Sequence, residues 1–325
     1  MASGARSEAK PSGVAGAKIR CGIGMAAFPF DASRDFFAFA ERCEALGVDS
    51  LWQTDRLQGE EAQLESIATM ATLAGATERI KFGMNAVVAS LRDPLVLAKQ
   101  CATIDFLSRG RLLPVFGVGV GADPVWKATG RDPAGRGRRA DEALEIAQRL
   151  WRGEAVDFVG RFYRYAGARI TPLPVQQPLP CWIGGSSQAA IRRTARLGTG
   201  WLGGLAPPDQ VGRVIAAVHA ELARTGRTID PDHYGATIPC RVGEAEGALA
   251  LRFARAGAQL ATGAAETIVA RAREYLQAGA SKLVLIPLAR GTRDVMDQLE
   301  RLSAEVIPAI EGGPGPVGES RAEST

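Results

Sequence analysis

The 325-residue chain is predicted to fold as an α/β protein, a single (β/α)8 TIM barrel, on three observations. Short apolar or β-branched runs alternate eight times with longer segments of helical period, and eight such units close a barrel. The strand segments are apolar almost throughout, as parallel strands covered on both faces must be. An open doubly wound sheet would instead open a helix with GxGxxG and place an acidic residue ~20 positions on, a pattern the chain does not contain.

The elements follow in order. Ile19–Met25 reads as the first strand, and Ser33 is expected to cap a helix that runs to Leu46 and stops at Gly47. Val48–Gln53 is the second strand, Glu60–Thr77 the second helix and Ile80–Val88 the third strand. Asp93-Pro94 opens the third helix as cap and first-turn proline, and the helix ends near Ser108, ahead of Gly110. Arg111–Gly117 is the fourth strand, followed by a long Gly/Arg-rich loop and a helix from about Arg138 to Trp151. A hairpin insertion, Val156–Ile170, comes after this fourth helix. Pro180–Ile183 and Gly200–Leu202 are strands five and six, each followed by a helix, Gln188–Leu197 and Pro207–Arg224. His233–Val242 is strand seven; two helices, about Ala245–Ala256 and Ala264–Ala278, separate it from strand eight, Lys282–Pro287, and Thr292–Ile310 is the last helix. Residues 1–17 and 312–325 lack apolar periodicity and are expected to be disordered tails around one domain, 18–311.

Composition narrows the function. A hydrophobic fraction of 46% is enough for a full core, and 23% charged residues of interspersed sign argue against disorder. The net charge of +4 is too small and scattered for a nucleic-acid partner. No stretch reaches the ~18 apolar residues of a membrane span, and MASGARSEAKPSGVAGAK lacks the apolar core of an export signal, so a soluble, cytoplasmic chain is expected. The five cysteines, Cys21, Cys43, Cys101, Cys181 and Cys240, lie far apart in apolar runs without a CxxC, which reads as buried thiols. With two histidines in the chain a metal site is short of ligands, and most schemes based on a histidine base fall away.

Barrel chemistry sits on the loops at the C-terminal strand ends. These are Met25–Phe30, Thr54–Arg56, Asn85–Ser90, Gly117–Trp126, Gly184–Ser187, Gly203–Pro208 and Leu288–Gly291. They contain neither histidine nor cysteine, and their carboxylates are Asp55 and Asp123, with Asp31 at the edge of the first. A hydrolase or metalloenzyme calls for more titratable groups than this. Glycine, amide and aromatic groups suit a large planar cofactor that lies against backbone and brings its own reactivity.

A run of motifs in fixed order then resembles the luciferase-like flavin oxidoreductases, and in particular their branch that uses the deazaflavin coenzyme F420. The motifs are AERCEALGVDSLWQTDR, ATLAGATERIKFGMNAVVASLRDPLVLAKQCATIDFLSRGR, GVGVGADPVW, RRADEALEIAQRLWRG with GRFYRY, PLPCWIGGSS and EYLQAGASKLVLIP, spanning Cys43 to Ile286. The resemblance implies an oxidoreductase that moves a hydride between coenzyme F420 and a small organic substrate, and a homodimer. FMN with dioxygen is the alternative on the same fold, and a flavin-binding relative without turnover is an alternative of another class.

The resemblance also implies site residues. Many relatives carry an Asp-His pair at the deazaflavin ring; Asp55 matches it and Arg56 replaces the histidine. An arginine is no base at neutral pH, yet it donates hydrogen bonds to a ring carbonyl or an anionic substrate, so Asp55 and Arg56 are the candidate catalytic pair. Gly83 to Val87 aligns with a third-strand bulge where relatives hold a non-proline cis peptide, which places Asn85, Ala86 and Val87 behind the ring. Gly119, Val120 and Gly121 end the fourth strand as cofactor contacts, followed by Ala122 where several deazaflavin dehydrogenases have an acid. Gly184, Gly185, Ser186 and Ser187 lead into a helix, where backbone N–H groups and the helix dipole hold a phosphate. Trp126 is expected to wall the pocket, and His219 and His233 to lie outside it. Arg131, Arg136, Arg138 and Arg139 form either a solvated face or an attractor for the cofactor's phosphate or its acidic glutamyl tail.

Overall fold

The computed structural model describes residues 17–244, 257 and 259–312. The expected tails and the helix expected over Ala245–Ala256 lie outside these residues, apart from Ala17 and Gly312. Strands are β1 (Arg20–Met25), β2 (Ser50–Gln53), β3 (Lys81–Met84), β4 (Val87–Val88), β5 (Val115–Gly117), β6 (Val156–Val159), β7 (Arg164–Ala168), β8 (Trp182–Gly184), β9 (Gly200–Leu202), β10 (Tyr234–Val242), β11 (Ala261–Gly263) and β12 (Lys282–Pro287). Helices are α1 (Ser33–Ala45), α2 (Ser66–Ala76), α3 (Pro94–Leu107), α4 (Val125–Ala128), α5 (Arg136–Trp151), α6 (Gln188–Leu197), α7 (Pro208–Thr225), α8 (Ala265–Gln277), α9 (Gly291–Arg301) and α10 (Ile307–Glu311).

The main sheet runs β3-β2-β1-β12-β10-β9-β8-β5-β4 with parallel pairing, and β11 adds to β10. Its two ends, β3 and β4, are successive halves of one strand, and Phe82 of β3 bridges to Leu112 ahead of β5. The sheet therefore closes on itself as the eight-stranded barrel. The hairpin β6-β7 is antiparallel and separate, after the helix the sequence placed before it.

Two indoles fill the barrel. Trp52 and Trp182 cluster with Val115, Leu202, Val284 and Ile286, and Trp52 Nε1 donates to Ser50 Oγ at 2.8 Å. Glycines leave the room: a Cβ on Gly83 would lie 2.7 Å from the Trp52 ring, and one on Gly200 2.5 Å from the Trp182 ring. At the N-terminal end of the barrel buried Lys282 pairs with Asp49, which also faces Arg20 at 3.5 Å and Lys81 at 3.6 Å. A second apolar layer between strands and helices holds Phe36, Phe39, Leu73, Leu97, Leu144, Ile215 and Leu299.

Several boundaries depart from expectation. Ser33 is the first helical residue of α1, and the cap is Ala32, whose N–H donates to Asp35 Oδ2 at 3.0 Å. The second helix starts at Ser66, because Glu65 caps it by accepting from the Ala68 N–H at 2.7 Å; residues 60–65 belong to the preceding loop. The third strand breaks at Asn85–Ala86 into β3 and β4. A short helix, α4, interrupts the loop after β5. The last helix is not continuous: one π turn, Leu302–Val306, precedes α10, where Pro308 has no N–H to donate back into the preceding turn. Asp93 does cap α3, accepting from Leu95 and Val96 N–H groups at 2.9 and 3.1 Å, with Pro94 behind it.

All five cysteines are buried free thiols. Burial pushes Cys101, Cys181 and Cys240 up to about 12, and raises Cys21 and Cys43 as well. The thiolate is the reactive form, so the native protein is expected to consume no aromatic disulfide reagent up to about pH 9, and all five thiols to react once it is unfolded. Fast reaction of a native thiol in a stopped-flow absorbance trace would contradict this placement.

Candidate functional site

At the C-terminal ends of the strands the inward positions become small. Ala26 and Ala86 lie on the indole-filled interior. A Cβ added to Gly117 or Gly184 would come 3.3 or 3.4 Å from the Ala86 Cβ, so these three residues form one patch of floor. A Cβ on Gly204 would meet open space. The result is a platform of small residues over the indole-filled interior.

The platform is held by polar contacts from behind. The Asn85–Ala86 bond is a non-proline cis peptide, as the resemblance implied. The Asn85 N–H donates to the Gln53 carbonyl at 2.8 Å, and Asn85 Nδ2 donates to Thr237 Oγ1 at 2.9 Å. Thr237 is buried and its hydroxyl donates a hydrogen bond to the Gly203 carbonyl at 2.8 Å, so one chain of bonds ties strands three and seven and the loop after strand six. Val87, by contrast, points its side chain into the layer under the helices.

Asp55 supports the same bulge from its outer side. Its side chain is 1% exposed and accepts from Ser66 Oγ at 2.7 Å, the Val88 N–H at 2.9 Å, and Arg92 Nη1 and Nη2 at 2.7 and 2.8 Å. Arg92 also reaches Glu65 at 2.7 Å. Burial works against the Arg92 charge, but Asp55 and Glu65 outweigh it and hold its pKa above the ordinary arginine value. Both Asp55 oxygens are thus engaged by protein donors. Arg56 is turned out to the rim, half exposed, with Glu61 at 3.8 Å. The structure therefore does not bring Asp55 and Arg56 together as a pair.

The loop after β5 is tied to its own surroundings. Gly119 has φ +68°, and a Cβ there would lie 3.1 Å from Val88 and 3.2 Å from Trp126. Trp126, itself buried, donates Nε1 to the Val120 carbonyl at 2.8 Å, and Arg136 donates to the Gly119 carbonyl at 3.3 Å while its guanidinium lies beside Gly121. The Val120 side chain is 70% exposed. Asp123 caps Val125 at 2.9 Å, which accounts for one of the rim carboxylates. Asp31 accounts for another, accepting from the Thr292 N–H at 3.1 Å.

Beyond β8, Gly185 adopts φ +104°, a conformation that suits glycine, and its carbonyl accepts from Trp201 Nε1 at 2.9 Å. Ser187 caps α6, accepting from the Ala190 N–H at 3.2 Å, and Ser186 Oγ accepts from Gln210 Nε2 at 3.2 Å. Gly185, Ser186, Gly203, Gly204 and Gln210 line a cleft of about 180 Å³ beside the platform. The start of α6 leaves N–H groups and the positive end of the helix dipole at this cleft, a setting suited to an anion. Ser187 is partly occupied by its capping role and Ser186 by Gln210, and both serines are exposed.

Residues absent from the sequence reading complete the site: Arg92, Thr237, Trp201 and Gln210. Thr237 was within reach, since it shares strand parity with Gly235 and faces inward; Arg92, on the turn before α3, carried no signal at all. His219 packs on Tyr234 and His233 on Trp182, away from the platform. Among the described residues no group of acidic, histidine or cysteine side chains is arranged to hold a metal ion, and no helix is long and apolar enough to cross a membrane.

Comparison with known proteins places the chain. Residues 13–285 match the family model described as luciferase-like monooxygenase. An F420-dependent glucose-6-phosphate dehydrogenase of Nocardia farcinica (strain IFM 10152) is 32% identical over 210 residues, 61% of each chain. The chain spans about half to three-fifths of the length of the curated relatives it matches. An F420-dependent secondary alcohol dehydrogenase in complex with an F420-acetone adduct superposes with a TM-score of 0.78 at 19% identity, covering 90% of this chain and 99% of that one. The oxygenating constituent of 3,6-diketocamphane monooxygenase of Pseudomonas putida, in complex with FMN, gives 0.75 at 16% identity, covering 90% and 98%.

Proposed function

The chain belongs to the luciferase-like monooxygenase family, and from that premise we propose that it is an oxidoreductase moving a hydride between coenzyme F420 and a small organic substrate. The observation that carries this reading is the platform of Ala26, Ala86, Gly117, Gly184 and Gly204 on a filled barrel. It fits a flat tricyclic ring, because Gly117 and Gly184 put no side chain over the floor such a ring would lie on. The bound deazaflavin supplies the two-electron chemistry. The chain's own residues bind and orient. Ala86 and the main chain of Asn85 back the ring, and Asn85 is kept in place through Thr237. Asp55 acts as a positioning residue through Val88 and Arg92. Gly184, Gly185, Ser186 and Ser187 take the phosphate at the start of α6. Arg56, at the rim, offers a guanidinium to an anionic or carbonyl group of the substrate. Close, water-poor apposition of donor and acceptor carbons is what such a transfer requires, more than a dedicated acid or base.

FMN with dioxygen is the second reading, favoured by the likeness to the FMN-bound monooxygenase. A binding protein without turnover is the third, favoured by Arg56 and Ala122 at positions where relatives carry other groups. Fluorescence titration separates them. Coenzyme F420 is expected to bind tightly and FMN weakly; the reverse selects the second reading, and tight binding with no reaction across a panel of hydride donors and acceptors selects the third. A single domain over 18–311 and a homodimer belong to the same proposal. Val96, Phe106 and Leu107 are exposed apolar residues of α3 available to a dimer contact, and light scattering at twice the chain mass is the expected result.

A further inference from the structure

The hairpin β6-β7 lies outside the barrel sheet, yet its tip reaches the segments that hold the platform from behind. A two-stranded hairpin is marginal by itself, so what it packs against fixes it. Val156 is buried, Phe158, Tyr163 and Tyr165 lie partly buried against the main core, and Val159 and Arg164 face solvent. Glu142 of α5 ties the tip down, accepting from the Arg161, Phe162 and Tyr163 N–H groups at 2.9, 2.9 and 3.2 Å. Gly160 closes the turn, since a Cβ there would run into that carboxylate.

From this anchor the hairpin touches both flanks of the platform. On one flank the Tyr165 hydroxyl donates to Asp93 Oδ2 at 2.9 Å, and Tyr163 Oη lies 3.5 Å from the Arg92 carbonyl oxygen. Asp93 caps α3 with its other carboxylate oxygen. Arg92 holds Asp55 with its guanidinium, and Asp55 in turn holds the Val88 N–H. The turn 89–91 is all that separates Arg92 from Val88, two residues beyond Ala86 of the floor. On the other flank Phe162 packs on Gly135, where a Cβ would lie 3.0 Å from its ring, with the Arg139 and Arg161 guanidiniums 4.8 and 5.5 Å from the ring centre. Next to Gly135, Arg136 donates to the Gly119 carbonyl at 3.3 Å, and Arg131 of the same loop donates to the Ser90 carbonyl at 3.2 Å. Burial and the Asp93 carboxylate raise the Tyr165 pKa, so its hydroxyl remains a donor at neutral pH.

We propose that the hairpin braces the cofactor platform and that Tyr165 is its positioning residue, setting the place of the Arg92–Asp93 turn and with it the Asp55–Val88 contact behind Ala86. The proposal rests on the deazaflavin reading above and extends that site to an element outside the strand-end loops. The Tyr165–Asp93 bond is partly exposed and contributes little to global stability, whereas a binding floor has to be held to about half an ångström.

The test uses the whole protein and the variants Tyr165→Phe and Y163F/Y165F, with coenzyme F420 fluorescence as one readout and amide hydrogen exchange of the coenzyme-free protein as the other. Tyr165→Phe is expected to weaken coenzyme binding about threefold, and the double variant more, with the melting temperature moved by less than about 2 °C. Exchange over residues 86–93 is expected to quicken, and exchange over the second half of α5 to stay as it is. In the D55A/R92M background, where the guanidinium no longer links the turn to the bulge, Tyr165→Phe is expected to cause no further loss of affinity. In the Gly184→Ala background its threefold loss is expected in full. Unchanged affinity in Y163F/Y165F, with the wild type binding normally, would overturn the brace and leave the cofactor reading intact. A full threefold loss on top of D55A/R92M would overturn the route through Arg92. Failure of the wild type to bind the coenzyme would overturn the cofactor reading and the brace as a cofactor device, and the exchange data would then show separately whether the hairpin holds the bulge.

Discussion

Asp55→Ala is expected to cost about 3–5 kcal/mol of folding stability, the usual penalty for removing one partner of a buried charge pair. The carboxylate is 1% exposed and takes four hydrogen bonds, two of them from Arg92, whose side chain is 11% exposed. Its loss strands a buried guanidinium, with the half-exposed Glu65 as its remaining carboxylate partner, and leaves the Val88 N–H without its acceptor. Urea unfolding followed by far-ultraviolet dichroism would show this as a lower midpoint with little change in slope. Because Val88 follows the platform bulge, cofactor affinity is expected to fall as well. The double variant D55A/R92M removes both charges and is expected to regain a large part of the stability but not the affinity. A shift below about 1 kcal/mol for Asp55→Ala would mean that the carboxylate is a dispensable surface group, and would reopen a direct role at the ring.

Gly184→Leu is expected to lower cofactor affinity by about 100-fold or more while leaving the fold intact. A Cβ at Gly184 sits 3.4 Å from the Ala86 Cβ and 3.8 Å from the nearest backbone oxygens, ordinary contact distances, so the barrel tolerates it. The rest of a leucine side chain then occupies the platform itself. A hundredfold loss corresponds to about 2.7 kcal/mol, within what displacing an aromatic ring from an apolar seat costs. Gly184→Ala is expected to have a much smaller effect, which separates steric exclusion from a change in the backbone. Binding by fluorescence and melting temperature are the two readouts. Wild-type affinity in Gly184→Leu would remove the platform from the site and with it the central argument for a flat cofactor.

These two positions also show how the sequence and the fold divide the information. Gly184 was legible: a glycine pair followed by two serines, at the turn from an apolar run into a helical one, reads as an anion loop with a flat approach. Asp55 was legible as a residue at a strand end, but its direction was not. Its partner Arg92 lies 37 positions away and Ser66 11, and nothing in either local pattern announces the contact. Arg56 was paired with Asp55 because many relatives carry an Asp-His pair at these positions. Successive side chains at a strand end diverge, and the structure sends one into the protein and the other to the rim.

What the chain determined locally was the alternation of elements, the strand ends that carry the site, the capped start of α3 and the loop before α6. Those depend on hydrophobic period, proline and glycine, and on residues three or four apart, all of which a linear text records. Closure of the sheet decided the rest. It set β3 and β4 at opposite ends of one pairing order, drew Asn85 onto Thr237 across 152 positions, and faced the arginines of α6 toward those of α5. Contacts of that kind follow from barrel curvature and the packing of neighbouring helices, which fix the distance between residues only after every strand has found its neighbour.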